Sequence, residues 1–200
     1  MIAVIDYGIG NLRSAEKALQ HLGADARLTS DAGEIARADK VVLPGVGAFG
    51  ACMTALRNSG LEPAAKEAAT DGRPFLGVCI GMQMLFESSD ESPDVAGLGV
   101  VAGRVTRLPA TVRLPQMGWN TLEVVPGSRL AAGLPDPAWL YFVHTFAPSP
   151  DDGAVVAAWC EYGRRFAAAV EQGPVWATQF HPEKSGTTGL RLLQNFVDAP

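Results

Sequence analysis

The sequence predicts an α/β protein built on a doubly wound sheet, mostly parallel in its first half and extended by antiparallel strands in its second. Three observations carry this expectation. Through residues 1–90, short and almost wholly apolar runs alternate with helical stretches, the pattern of a parallel sheet covered on both faces. After Pro93, strand-like runs follow one another, separated by Gly, Pro and Asp turns. Apolar residues make up 48% of the 200 residues and charged residues 18%, enough apolar material for a sizeable core.

Taken in order, Ile2–Asp6 is a short apolar strand and Leu12–His21 an amphipathic helix. Ala24–Leu28 and Lys40–Leu43 read as the second and third strands, and a helical pattern runs from Ala51 through Thr70. Phe75–Val78 is a fourth strand, leading into a helix over Ile80–Ser88. Right-handed crossovers between such strands give a doubly wound sheet, which places ligands at the carboxyl ends of its strands. In the second half Val100–Leu108, Thr121–Val125, Leu140–Val143, Val155–Trp159, Phe166–Glu171 and Val175–Phe180 read as strands, and helix returns from about Gly189 to Val197. No linker, repeat or low-complexity segment interrupts the chain, so residues 1–200 are expected to form one domain.

The formal charge of −5, without long basic runs, argues against a nucleic-acid-binding surface as the main business of the chain. No apolar run is long enough to span a bilayer, and the start, Met1-Ile2-Ala3-Val4-Ile5-Asp6, reads as a strand rather than a signal peptide. Cys52, Cys79 and Cys160 lie far apart with no CxxC spacing. That is neither a disulfide framework nor a zinc site, and it suits a reducing cytoplasm.

The sharpest local feature is Gly77-Val78-Cys79-Ile80-Gly81, directly between an apolar strand and a helix. It has the nucleophile-elbow spacing, with Cys in place of Ser. The turn is so tight that side chains at either flanking glycine would meet neighbouring backbone. A cysteine there sits at a helix N-terminus, which favours thiolate over thiol, and the N–H of Ile80 is placed to bind an oxyanion. The competing reading is an inert buried cysteine, the usual state of free cysteines. The paired glycines favour the reactive reading for Cys79; Cys52 and Cys160 have no such context.

A nucleophilic cysteine needs a base. Of the three histidines, His21 closes an amphipathic helix and reads as a solvated surface residue. His144 and His181 both follow strands, but only His181 has a carboxylate two residues on, Glu183, which in an extended segment projects to the same side and can fix the ring's tautomer. That is the nucleophile–base–orienter logic of a triad, and it makes His181 the better base.

Pro44-Gly45-Val46-Gly47-Ala48-Phe49-Gly50 formally matches a dinucleotide fingerprint. It follows the third strand rather than the first, and the acid at the expected distance, Asp71, precedes a strand at the wrong end of the sheet. The alternatives are a backbone-rich loop offering N–H donors beside the nucleophile, or a plain glycine turn. Gly8-Ile9-Gly10 fails the same fingerprint at Arg13. Met117-Gly118-Trp119-Asn120 reads as a loop whose tryptophan is ordinarily a core residue, and Glu87, Asp90, Glu91 and Asp94 as a solvated acidic loop.

Gly77-Val78-Cys79-Ile80-Gly81-Met82-Gln83 and Gln179-Phe180-His181-Pro182-Glu183, in this order, resemble the class I (triad) glutamine amidotransferases. Further runs are similar to the branch of that family serving histidine biosynthesis: Asp6-Tyr7-Gly8-Ile9-Gly10-Asn11-Leu12, Leu43–Phe49, Pro115–Asn120, Tyr141–Phe146 and Phe180–Ser185. Glutaminases of anthranilate or GMP synthesis generally lack the equivalent of Lys184. Gln116 stands where the branch often has histidine.

The resemblance implies a flavodoxin-like glutaminase with Cys79, His181 and Glu183 as its triad. The oxyanion would be held by the N–H groups of Ile80 and of the Pro44–Gly47 loop, which includes Val46, and the amino-acid end of glutamine by Gly47, Gln83 and the backbone of Thr145 and Phe146. No metal or organic cofactor is called for. The implied partner is a (β/α)8-barrel cyclase subunit, docked as a heterodimer over Asn11, Trp119 and Lys184, which uses the ammonia to form imidazole glycerol phosphate and AICAR. A glutaminase feeding a different synthase, a cysteine peptidase or chaperone-like protein on the same fold, and a catalytically silent binding module remain the competing readings at this point.

Overall fold

A computed structural model describes all residues from Met1 to Pro200. In chain order the first half comprises β1 (Ile2–Ile5), α1 (Leu12–His21), β2 (Ala26–Thr29), α2 (Ala32–Arg37), β3 (Lys40–Gly45), α3 (Phe49–Asn58), α4 (Glu62–Ala68), β4 (Phe75–Cys79) and α5 (Ile80–Met84). The second half comprises β5 (Ser88–Ser89), β6 (Gly103–Arg107), β7 (Gln116–Val124), β8 (Ala138–His144), β9 (Phe146–Pro150), β10 (Val156–Glu161), β11 (Arg165–Gln172), β12 (Val175–Thr178) and α6 (Gly186–Val197).

Every residue of β1 and β4 is buried, because these strands are covered on both faces by helices. The helices show the matching one-sided burial: α1 buries Ala15 and Leu19, and α6 buries Gly189, Leu192, Leu193 and Phe196. Asp31 starts α2 by accepting the Glu34 N–H at 2.8 Å. The large sheet has the order β2-β1-β3-β4-β12-β11-β10-β7-β8. Its β2-β1-β3-β4-β12 half is parallel, and β11, β10, β7 and β8 continue it antiparallel. Strands β5, β6 and β9 form a second, small sheet, whose β9 lies against β11 of the large one.

The placement of β12 decides where the chemistry lies. Last of the strands in sequence, it pairs in parallel with β4, Thr178 opposite Val78, while β3 flanks β4 on the other side with Gly45 opposite Cys79. The carboxyl ends of all three strands therefore converge on one point. A connected cluster of 56 buried apolar residues lies beneath it, and no helix is long and apolar enough to cross a membrane.

The alternation in the first half and the antiparallel second half are as expected, with four differences. The helical pattern over 51–70 divides at Ser59-Gly60, where Gly60 has φ +74°. The helix after Cys79 stops at Met84. Helix α2 and strand β9 carry too few periodic residues to stand out. Strand β7 begins at Gln116, so Trp119 lies in a strand of an edge hairpin rather than in a loop.

Candidate active site

Cys79 is the only non-glycine residue with positive φ, at φ 56° and ψ −111°. Such a backbone costs on the order of 1–3 kcal/mol and persists only where the surroundings enforce it. Here the flanking glycines are the means. A Cβ on Gly81 would lie 1.8 Å from the Leu43 carbonyl oxygen, and one on Gly77 would lie 2.9 Å from that of Gly81. The elbow packs so closely on β3 that only glycine fits.

His181 follows β12 and is 1% exposed. Its Nδ1 is 2.8 Å from Glu183 Oε1, so Nδ1–H donates to the carboxylate and leaves Nε2 without a hydrogen-bond partner. The i, i+2 spacing predicts that the two side chains meet from an extended segment. Instead Pro182–Lys184 form a 3-10 turn that brings Glu183 back beneath the ring. Burial alone would lower the pKa of His181, but the adjacent Cys79 and the Glu183 carboxylate together raise it to about 9. The imidazolium is thus favoured beside the sulfur.

Cys79, His181, Val46, Gly47, Ile80, Gln83, Thr145 and Phe146 all line one cleft of about 570 Å³, a volume suited to a small ligand. Glu183 lies behind His181, its side chain only 3% exposed. The N–H groups of Val46 and Gly47 donate to no protein acceptor, and Ile80 opens α5, so its N–H has no acceptor within the helix. The loop carrying Val46 is held from below: Tyr7 Oη donates to the Pro44 carbonyl at 2.8 Å and the Cys52 thiol to the Val46 carbonyl at 3.2 Å. Burial pushes the Cys52 thiol up, and that of Cys160 to about 12, so both are held as thiols.

The other strand-end histidine differs in kind. His144 Nδ1 donates to the Phe146 carbonyl at 2.8 Å, and the ring packs against Phe166 and Phe142. Burial lowers its pKa to about 4, so it is neutral at physiological pH. It borders the cleft without a carboxylate partner.

Asn11 and Lys184 stand at the cleft, and Lys184 forms no ion pair. Trp119 is not part of it. The expectation of a core tryptophan fails, since Trp119 is 54% exposed, edge-on to Tyr141. Exposed Met117 lies beside it on the same strand and exposed Trp139 on neighbouring β8. Of the acidic stretch, Glu87, Asp90 and Asp94 are exposed as expected, whereas Glu91 has a definite partner. Glu91 Oε2 accepts the Phe49 N–H at 2.7 Å and the residue borders the cleft. Glu87 accepts the Gly103 N–H, and Asp90 pairs with Arg104.

Two contributors went unnoticed in the sequence. Tyr7 acts through the loop it supports, and Gln179, fully buried, directs its side-chain amide at the Cys79 sulfur. A tyrosine just beyond the carboxyl end of β1 was the available signal for the first. For the second the signal was its place at the head of the Gln179–Glu183 run, which gave it no role of its own.

The profile of the family described as "Glutamine amidotransferase class-I" matches residues 3–199. The chain belongs to the class-I glutamine amidotransferase family. Its activity is accordingly that of a glutamine amidotransferase subunit, which removes the peptidase reading. It is 48% identical to the imidazole glycerol phosphate synthase subunit HisH of Rhodopirellula baltica, across 100% of this chain and 98% of that one. It is 49% identical to the subunit of the same name from Methanothermobacter thermautotrophicus, across 99% and 98% of the two chains. Among solved structures it resembles PurLQS from Thermotoga maritima, with a TM-score of 0.78 and 20% identity over 98% of this chain and 97% of that one. At that identity the likeness is one of fold.

Proposed function

We propose that this chain is the glutaminase subunit of an imidazole glycerol phosphate synthase, working in the cytoplasm, with Cys79, His181 and Glu183 as its catalytic triad. The observation that carries the triad is the strained backbone of Cys79 beside a buried His181 whose far nitrogen is tied to Glu183 at 2.8 Å. The pathway and partner rest on similarity to the HisH subunits across the whole chain.

In this reading the Cys79 thiolate attacks the carboxamide carbon of glutamine, and the carbonyl oxygen becomes an oxyanion facing the N–H groups of Ile80, Val46 and Gly47. The His181 imidazolium gives its Nε2 proton to the departing nitrogen, so that ammonia leaves and a γ-glutamyl thioester remains. Neutral His181 then takes a proton from water as it attacks the thioester, and collapse of the second tetrahedral intermediate expels the thiolate and releases glutamate. Glu183 keeps the Nδ1 proton in place through both halves, so Nε2 is the nitrogen that exchanges protons.

Within the substrate site, Gln83 Nε2 is committed to the protein, while its buried Oε1 has no partner. It is suited to accept from the α-ammonium of glutamine. Thr145 and Phe146 offer main-chain groups along the opposite wall. A (β/α)8-barrel cyclase would cover the rim carrying Asn11 and Lys184 and the exposed apolar face around Trp119, receiving the ammonia directly.

The test is a glutaminase assay of the chain alone and with the cyclase subunit and its nucleotide ligand. Glutamate should form far faster in the complex, and Cys79→Ala should abolish it while cyclase activity with ammonium salts survives. Rapid turnover by the chain alone, unchanged by the cyclase, would contradict the proposed coupling.

A further inference from the structure

Cys79 precedes a helix of only five residues, Ile80–Met84, so the dipole invoked from the sequence is short and does little for a thiolate. One further donor faces the sulfur. Gln179 Nε2 lies 3.9 Å from Cys79 Sγ, and both residues are buried.

The orientation of that amide is fixed by a chain of partners. The Phe146 carbonyl can only accept, and it takes one hydrogen from Gln83 Nε2 at 3.0 Å and another from His144 Nδ1 at 2.8 Å. The group of Gln83 facing Phe146 is therefore its NH2. The second hydrogen of that NH2 goes to the Gln179 side chain at 2.9 Å, which makes the receiving atom Oε1. Gln179 must then turn its own NH2 toward the sulfur. The backbone N–H of Gln179 is anchored to the Ala168 carbonyl at 2.8 Å, so the side chain is held at both ends.

Building on the triad reading, we propose that Gln179 is a further catalytic residue, whose amide N–H donates to the Cys79 thiolate and stabilises it alongside His181. Gln83 is the positioning residue that keeps this donor aimed at the sulfur. The contact is long for a neutral thiol, and a charge-assisted bond to the thiolate is shorter and stronger. The same donor serves twice in the cycle, when the thiolate attacks and when the thioester expels it. Because Gln83 also touches the substrate cleft, a bound glutamine and the nucleophile share one rigid connection.

The experiment is the pH dependence of Cys79 alkylation by iodoacetamide, followed by peptide mass spectrometry between about pH 5 and 10, with Cys52 and Cys160 as internal references. The titratable groups near the sulfur are His181 with Glu183 behind it, Tyr7, Cys52 on α3 and, along the cleft, His144, Glu91 and Lys184. All are retained in the variants.

Gln179→Met removes the donor with little change of volume. Gln83→Met with Gln179→Met removes both members of the pair, so that neither is left unpartnered, and serves if the single variant does not fold. Loss of a hydrogen bond to a charged group should move the profile up by about one pH unit, so that on its rising limb alkylation at a given pH is roughly tenfold slower. The alkaline plateau should stay within about twofold of the parent, since thiolate reactivity itself is intact; a disturbed fold would change the plateau. Profiles that coincide with the parent's would overturn the role of Gln179. A parent protein in which Cys79 reacts no faster than Cys52 would instead remove the nucleophile assignment beneath it.

Discussion

His144 offers a quantitative check on the electrostatics of the cleft. Its ring is buried against Phe142 and Phe166, donates through Nδ1 to the Phe146 carbonyl, and leaves Nε2 without a partner. Burial lowers its pKa from 6.5 to about 4. The unfolded chain takes up a proton below pH 6.5 that the folded protein refuses until about pH 4. The stability concerned is therefore complete above pH 6.5 and is lost as the pH falls toward 4. At pH 5 the difference amounts to about 2 kcal/mol, or roughly 1 M in a urea midpoint. His181 has a raised pKa of about 9. Its contribution is fully present below pH 6.5 and is lost as the pH rises through 9; between pH 7 and pH 5 it grows by no more than about 1 kcal/mol, in the parent and in a His144 variant alike.

Replacing His144 by Gln keeps a donor for Phe146 and removes the titrating group. Urea unfolding of both proteins at pH 7 and pH 5 should show the parent losing about 2 kcal/mol more than the variant on acidification. Equal acid sensitivity would mean that His144 takes up its proton freely in the folded state.

Three further outcomes follow from the same geometry. His181→Ala should lower glutamine turnover on the order of 10^4-fold or more, whereas His144→Gln should cost far less; steady-state kinetics on folded variants would show equal losses if the base were misassigned. Gly81→Ala would drive a Cβ to within 1.8 Å of the Leu43 carbonyl, a clash worth on the order of 4 kcal/mol and a Tm loss of roughly 10 °C; an unchanged melting curve would refute the steric account of the elbow. Lys184→Glu and Trp119→Ala should each weaken cyclase binding about tenfold or more in a calorimetric titration, with the alkylation profile of Cys79 unchanged in Trp119→Ala, which lies outside the cleft; full affinity in both would place the docking face elsewhere.

Much of this site was legible in the sequence because its constraints are local. The glycines around Cys79 are required by contacts with the adjacent strand and turn, and Glu183 reaches His181 from two residues away. The role of Gln179 was not legible, although the residue heads the Gln179–Glu183 run, since that role depends on Gln83, 96 residues distant. Trp119 misled for a different reason. The rule that strand faces turn apolar residues inward fails for the β7–β8 edge hairpin, whose outer face carries Met117, Trp119 and Trp139. The missed helix α2 did have a local signal: Asp31, its N-cap, followed three residues later by Glu34.

The most direct test of the central claim is covalent trapping by a glutamine analogue carrying an electrophilic carbon in place of the carboxamide, read by peptide mass spectrometry. The triad reading predicts one label, on Cys79, lost in Cys79→Ala and blocked by excess glutamine, with Cys52 and Cys160 untouched. Label on either of those two, or glutaminase activity surviving in Cys79→Ala, would contradict it.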